Sequence, residues 1–215
     1  MIVEIIQQMT TEGWVIFVVT ILAYIFLAID IWMYNGISQS FFTWFLWGIL
    51  DTILFMTTYA EKGEDLAILA GCVIGSFSLS IFLFIIKKRK WGDEENMILG
   101  LIFITVIIWV TSWFISKSNT IGIFFAVIAE MLAGIPLMKA SWKKPGSRYT
   151  LVSYLLFLAS YIITLITIET WEIKNSLFSL AFLIYGVGDT SPLIRKWYKI
   201  LIRYRRLINN RKQVE

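Results

Sequence analysis

Seven apolar runs, each long enough to cross a membrane, constrain the fold of this chain most strongly. A helix of about 20 residues spans the ~30 Å hydrocarbon core of a bilayer. Because lipid offers no partners to an open backbone, each run is predicted to be a helix. We therefore expect an all-α integral membrane protein with seven transmembrane helices. The runs lie at 14–34, 37–60, 65–87, 96–116, 119–139, 149–169 and 175–195.

The composition leaves little of the chain for anything outside the membrane. Of 215 residues, 58% are hydrophobic and 16% are charged, whereas soluble domains are about half apolar and about a quarter charged. The segment before the first run contains acids but no Lys or Arg. It also lacks a small-residue cleavage pattern, so we expect a retained span and not a signal peptide.

Several chemistries are excluded by what the sequence lacks. It contains no histidine and one cysteine, Cys72, which rules out a disulfide framework and a Cys/His zinc site. It contains no phosphate-binding glycine loop with its lysine, and no mid-span lysine that could hold retinal. We expect no metal, no cofactor and no enzymatic activity. Any proton coupling would use carboxylates, because the usual near-neutral histidine is missing.

Lys and Arg are distributed very unevenly between alternate polar segments. Sixteen of the 19 lie at 87–90, at 139–148 and in the tail from Arg195 to Lys212, whereas the other set holds only Lys62, Lys117 and Lys174. Since cytoplasmic loops carry the excess of positive charge, the N-terminus is predicted outside and the C-terminus inside. The charge pattern also requires an odd number of spans.

The C-terminal tail, "RKWYKILIRYRRLINNRKQVE", interleaves basic and aromatic residues. We interpret it as a topology anchor and interfacial amphipathic helix that binds anionic lipid or a protein partner. Nucleic-acid binding is the alternative that we do not adopt. Most of the ten tryptophans lie at span ends, as in an aromatic belt. Four lie deeper and either pack or line a pocket: Trp44, Trp47, Trp109 and Trp113.

Four acids fall within the predicted spans, and no Lys or Arg lies at comparable depth. Each costs about 2.5–3.5 kcal/mol on an insertion scale, so each is a functional candidate. Asp30 and Asp189 lie toward the cytoplasmic ends of the first and seventh spans. They either have a functional role or snorkel to the interface. Asp51 and Glu130 lie near the midplane, one in each half. They either bind a coupling ion or are protonated carboxyl groups that hydrogen-bond to a neighbouring helix.

The stretch Gly186-Val187-Gly188-Asp189 resembles the Gly-x-Gly-Asp motif of intramembrane aspartyl proteases and prepilin peptidases. Those enzymes use a second aspartate, for which Asp51 is the only well-placed candidate. The accompanying Tyr-Asp and Pro-Ala-Leu signatures are missing. We expect instead that Gly186, Gly188 and Pro192 loosen the last turns of the seventh span. Asp189 would then hydrogen-bond the freed backbone or water.

The two halves of the chain match weakly when it is slid along itself by 106 residues. "AYIFLAIDIWMYN" (23–35) then lies over "AEMLAGIPLMKAS" (129–141), with two identities. Three spans on each side of a central one give the halves the same orientation. We predict a 3+1+3 arrangement. It comprises a first repeat (1–95), a linker helix (96–118), a second repeat (119–195) and a basic tail (196–215).

The second half resembles a repeat of the PQ-loop and SWEET superfamily. The resemblance covers most of the chain and implies a diverged member: Leu137 replaces the glutamine that follows the family proline, and Asp30 occupies the corresponding first-half position. It implies transport by rocking of two three-helix bundles, with Pro136 as a hinge. The matching residues are Pro136, Lys143, Lys144, Gly146, Ser147, Trp171 and Asn175, with Gly71 and Gly75 in the first half.

We therefore expect a secondary transporter or facilitator of a small polar solute (a sugar, amino acid or vitamin) in a bacterial cytoplasmic membrane. Proton or cation coupling would use Asp51, Glu130 and Asp189, and Gly186 and Gly188 would join Pro136 as hinges. The alternatives are a structural or assembly subunit of a membrane complex and, less favoured, an aspartyl protease. The sequence is also compatible with a homo-oligomer. The predicted solute-binding residues are Asp51, Thr52, Cys72, Ser160, Tyr161, Ser179 and Tyr185.

Overall fold

Seven α-helices and no strands make up the described part of the chain. The computed structural model describes residues 9–34, 40–86, 91–116, 120–143 and 146–212. Each helix overlaps one of the predicted apolar runs, which confirms the all-helical fold. The helices are α1 (Thr11–Tyr34), α2 (Phe41–Ala60), α3 (Leu66–Ile85), α4 (Asp93–Ser116), α5 (Thr120–Lys143), α6 (Arg148–Thr167) and α7 (Ile173–Lys212).

Six of the seven described helices are long and apolar enough to cross a membrane, and α4 is the exception. Its apolar stretch covers only Glu95–Thr111. The start of α4 is polar: the Glu95 carboxylate accepts hydrogen bonds from Ser40 Oγ (2.5 Å) and Thr43 Oγ1 (2.7 Å) at the start of α2. The predicted fourth span, 96–116, is therefore the least typical of the seven.

Helix α7 is longer than the sequence predicted. A span ending at 195 and a separate tail helix were expected, but α7 runs unbroken for 40 residues, with Pro192 inside it. The residues after Pro192 contain no further proline or glycine up to Lys212, so nothing in them stops a helix. Side chains also bond the backbone here, from Thr190 Oγ1 to the Gly186 carbonyl at 2.6 Å.

The helices pack in the same order in both halves of the chain. Helix α3 packs against both α1 and α2, and α7 packs against both α5 and α6. We call α1–α3 the first triplet and α5–α7 the second triplet. The two triplets meet where α1 packs on α6 and α2 packs on α5. Helix α4 packs on α2 and α5. The largest apolar cluster includes Leu54, Phe55, Val127 and Phe178, so it joins both triplets.

Part of the charge pattern used to predict orientation falls on segments that the structure does not describe. These positions bear on topology only through the sequence. They are Lys87, Lys88, Arg89, Lys90, Lys117 and Lys144.

Candidate functional site

A cavity of about 60 Å³ lies between the two triplets. Side chains of α1, α2, α3, α5, α6 and α7 line it, so every helix except α4 contributes. A space of this size has room for a few water molecules. The interior of the bundle therefore holds a small chamber where the two halves meet.

Aromatic side chains form most of the cavity wall. Tyr24 packs edge-to-face on Phe157, with ring centroids 5.0 Å apart, and on Trp44 at 5.9 Å, a favourable arrangement for aromatic pairs. Trp44 and Trp47, two of the deeper tryptophans, line the cavity, whereas Trp109 does not. The Trp113 side chain lies outside the described residues. Nine of the fifteen lining residues are aromatic: Tyr24, Trp44, Trp47, Tyr154, Phe157, Tyr161, Phe178, Phe182 and Tyr185.

Asp51 anchors a short chain of hydrogen bonds within the first triplet. Its Oδ2 accepts from Ser76 Oγ of α3 at 2.6 Å, and Ser76 Oγ lies 3.0 Å from the Tyr24 hydroxyl of α1. Asp51 is only 5% exposed and faces the cavity. One carboxyl group thus joins α1, α2 and α3 at the cavity wall.

The Asp51 carboxyl also lies within hydrogen-bonding reach of Glu130, which belongs to α5 in the second triplet. Glu130 is 4% exposed, and its Oε1 has no partner among the described residues. Ionised carboxylates only accept hydrogen bonds, so a hydrogen bond between two carboxyls requires a proton on one of them. This carboxyl pair spans the junction between α2 and α5.

Asp30 and Asp189 are buried, which contradicts the snorkelling alternative and leaves the functional alternative open. Asp30 is 0% exposed and Asp189 is 3% exposed. Neither Asp30 oxygen has a hydrogen-bond partner among the described residues, and Asp189 Oδ1 has none either. Asp30 lies on α1, which packs on α6, and Asp189 lies on α7, which packs on α5 and α6.

Asp189 Oδ1 lacks a backbone partner among the described residues, which was one of the two predicted for it, the other being water. The carboxyl lies against the Tyr185 side chain one turn earlier in α7, and the helix continues through Gly186, Gly188 and Pro192 without interruption. The Tyr185 hydroxyl donates to the Gly134 carbonyl of α5. Asp189 therefore interacts with a tyrosine that bridges α5 and α7.

The structure brings only part of the predicted site together. Asp51, Cys72, Tyr161, Tyr185 and Asp189 line the cavity, together with Gly186. Glu130 is not among the lining residues but interacts with Asp51. Pro136 lies within α5, and Gly188 lies near Met138.

Three of the predicted hydroxyl groups lie away from the cavity. Thr52 Oγ1 donates to the Gly48 carbonyl at 2.6 Å, and Ser160 Oγ donates to the Phe157 carbonyl at 2.8 Å. Ser and Thr commonly bond their own helix in this way when no other partner is near. Ser179 Oγ donates to Asp65 Oδ1 at 2.9 Å, at one end of the bundle.

Several lining residues were missed by reasoning from the sequence alone. In α6 and α7 the missed aromatic residues fall on single helix faces, with spacings of three or four residues that the sequence already contains. No comparable spacing in the sequence points to Tyr24, Leu27 or Leu137. The missed residues are Tyr154 and Phe157 on α6, spaced with the predicted Tyr161, and Phe178 and Phe182 on α7, spaced with the predicted Tyr185.

A second polar cluster joins the α2–α3 connection to the α6–α7 connection. The Glu64 carboxylate accepts from the Glu169 backbone N–H (2.7 Å), Thr170 Oγ1 (2.8 Å) and Asn175 Nδ2 (2.9 Å). Next to it, burial raises the pKa of Asp65 to about 7. This cluster ties one end of the first triplet to the second.

No metal centre is evident in the described ranges, where no group of three or more Cys, Asp or Glu side chains could hold an ion. Comparison with protein-family models, with curated proteins and with solved structures found no match. The geometry of the cavity and its carboxyl groups is therefore the basis for assigning a function.

Proposed function

We propose that the chain is a secondary transporter or facilitator of a small polar solute. The observation that supports this proposal is the cavity between the two triplets. Six helices line it, and the Asp51–Glu130 pair flanks it. Secondary transporters place their substrate sites near the midplane, where structural repeats meet. A site bounded by both halves would change shape whenever one half moves relative to the other.

The proposal includes two parallel repeats in a 3+1+3 arrangement, with the N-terminus outside. Its support is the shared packing order, in which the third helix of each triplet packs on the other two, together with the sixteen-to-three distribution of Lys and Arg. A distant relationship to the PQ-loop and SWEET superfamily and a bacterial cytoplasmic membrane belong to the same proposal. Pro136 and Gly186, in α5 and α7, are the proposed hinges.

Coupling is assigned to the carboxyl pair. Asp51 and Glu130 belong to different triplets, so separating α2 from α5 would break their contact. A proton shared by the closed pair, or a cation bound between two ionised carboxylates, would then be exchanged as the site opens. Because the pair is buried, the energetic cost of leaving a charge unpaired there is large. This cost would link ion binding to conformation.

The second candidate function is the docking of a partner at the cytoplasmic end of the chain. The observation favouring it is the continuous α7, which carries the basic residues Arg195, Lys196, Lys199 and Arg203 beyond the apolar part of the helix. Anionic lipid or a protein partner would bind there. The protease alternative is weaker, because the carboxyl group that interacts with Asp51 is that of Glu130, whereas Asp189 lies against Tyr185.

A ligand screen tests the proposal. Purified chain is heated with sugars, amino acids, vitamins and monovalent cations at two pH values. A ligand at 100 times its Kd adds about 2.7 kcal/mol to the free energy of unfolding. We expect stabilisation by at least one solute, lost in Asp51→Asn or Glu130→Gln and retained in Glu12→Gln, an exposed control. Folded protein that responds to no solute would contradict the proposal.

A further inference from the structure

The cavity wall contains buried polar groups that have no hydrogen-bond partner in the described part of the chain. They are Asp189 Oδ1, the Tyr154 hydroxyl, and the indole N–H groups of Trp44 and Trp47. Asp189, Tyr154 and Trp44 are each more than nine-tenths buried. Folded proteins satisfy the great majority of such groups. Four of them around one chamber are available to bind a molecule that enters it.

The chamber is lined by two carboxyl groups and by no cationic side chain. Asp51 and Asp189 line it, whereas no Lys or Arg is among its lining residues. Asp30 and Asp189 both lie close enough to Tyr154 to interact with it electrostatically. Neither oxygen of Asp30 has a hydrogen-bond partner within the described ranges. Carboxyl groups in a medium of low dielectric interact strongly with a nearby positive charge. The electrostatics therefore favour a cationic occupant.

The chemistry of the wall favours an organic cation over a divalent metal ion. Calcium and magnesium require about six or more oxygen ligands, and the described residues contain no suitable group of acids. Aromatic rings, in contrast, attract ammonium groups through their π faces, and the wall is mostly aromatic.

We propose that this chamber binds a small organic ammonium ion, with Asp189 as its counter-ion and Trp44, Trp47 and Tyr154 in the surrounding wall. The inference depends on the proposed transport function and names its substrate class. The chamber volume of about 60 Å³ accommodates an ammonium head group of a few non-hydrogen atoms. A larger substrate enters only when the two triplets separate.

Matched pairs of ligands test the charge requirement. The full chain in lipid nanodiscs is titrated with ethanolamine and with choline, and binding is followed by tryptophan fluorescence. Each cation is paired with its neutral carbon isostere, 1-propanol or 3,3-dimethylbutan-1-ol. We expect each cation to bind at least about tenfold more tightly than its isostere, consistent with the energy of a desolvated cation–π contact and a charge-assisted bond.

Variants then assign the interaction to Asp189 and the aromatic wall. Asp189→Asn is expected to weaken choline binding by about tenfold or more, whereas Asp189→Glu, which keeps the charge, retains most of it. Trp44→Phe is expected to retain more binding than Trp44→Leu. Glu12→Gln, on the exposed face of α1, serves as control. Normal gel-filtration behaviour and circular dichroism in each variant exclude misfolding as the cause.

The outcomes separate this inference from the proposed function. Equal binding of the cations and their isosteres, or full binding in Asp189→Asn, overturns the ammonium assignment. Binding of a sugar or a vitamin but of no ammonium ion also overturns it, while leaving the transporter proposal intact. Failure of every solute to bind folded protein overturns both.

Discussion

Two glycines allow tyrosines to pack directly against neighbouring helices. A Cβ on Gly75 would lie 2.1 Å from the Tyr24 ring, and a Cβ on Gly134 would lie 2.5 Å from the Tyr185 hydroxyl. These distances are shorter than any ordinary contact. Tyr24 and Tyr185 both line the cavity, so the two glycines position its wall as well as the helices.

Alanine at either glycine is predicted to destabilise the protein. Gly75→Ala and Gly134→Ala should each cost about 1–3 kcal/mol through overpacking, measured as lower melting temperatures in detergent. Gly100→Ala is the matched control in α4, because a methyl group added at Gly100 would have nothing within 4 Å and alanine is the better helix former. Unchanged stability of Gly75→Ala would contradict the close packing.

Asp65, which precedes α3, is predicted to make stability depend on pH. Burial raises its pKa from 3.8 to about 7 in the folded protein, with the neighbouring charge of Glu64 adding to the shift and the Ser179 bond opposing it. The folded state therefore binds the proton more tightly than the unfolded state. Its stabilising contribution is complete below about pH 4 and is lost as pH rises through about 7.

The measurement is the melting temperature between pH 5 and pH 8. We expect Asp65→Asn to flatten the decline seen in the parent chain, because asparagine can still accept from Ser179 but does not titrate. Glu12→Gln should leave the decline unchanged. An equal pH response in Asp65→Asn and the parent would show that Asp65 does not titrate in this range.

At the scale of elements, the α2–α3 and α6–α7 connections behave as one unit. Besides the Glu64 contacts, the Glu64 N–H donates to Asn175 Oδ1 at 3.2 Å. Lys62 has a positive φ of 55°, and a Cβ on Gly63 would lie 2.6 Å from the Lys174 carbonyl. Backbone and side chains therefore both fit one connection closely against the other.

A double-mutant cycle measures this contact. Glu64→Ala and Asn175→Ala are predicted to show a coupling energy of about 0.5–1.5 kcal/mol in thermal or denaturant unfolding, a modest value because Glu64 is exposed. The Glu172–Lys174 ion pair, at 3.1 Å with Glu172 exposed and Lys174 half-buried, is the control and should give a smaller coupling. Additive effects of Glu64→Ala and Asn175→Ala would contradict a joint role.

The sequence predicted the elements better than their surroundings. Apolar runs determine where helices form, so all seven were found. The continuation of α7 through Pro192 was missed because the local signal of a proline within a Gly-containing turn favoured a break, whereas packing of α7 on α5 and α6 supports the helix. The burial of Asp30 was missed for a similar reason: depth along one helix does not reveal which neighbours cover a side chain.

At the scale of the whole molecule, the proposed orientation can be tested directly. The single native cysteine, Cys72, is buried, so engineered cysteines report on their own positions. Glu12→Cys is predicted to react with a membrane-impermeant maleimide in intact cells. Tyr198→Cys, in the exposed distal part of α7, should react only after permeabilisation. The reverse pattern would invert the proposed topology.

The site was predicted only in part because it depends on how two distant halves meet. Intramembrane acids are rare, so Asp51 and Glu130 could be selected from the sequence. Their contact could not, since it requires α2 to pack on α5. Serines and threonines were chosen for their polarity, but Thr52 and Ser160 bond their own helix backbones instead.

Uptake into proteoliposomes tests the central claim most directly. Labelled sugars, amino acids, vitamins and ammonium ions are offered to vesicles containing the parent chain, the Asp51→Asn/Glu130→Gln double variant or Gly100→Ala. We predict that at least one solute enters faster than into protein-free vesicles. Its rate should fall by about tenfold or more in the double variant, as expected for losing a buried charged contact, and stay unchanged in Gly100→Ala. Entry no faster than into empty vesicles for every solute, or an unaffected double variant, would contradict transport through this carboxyl-flanked cavity.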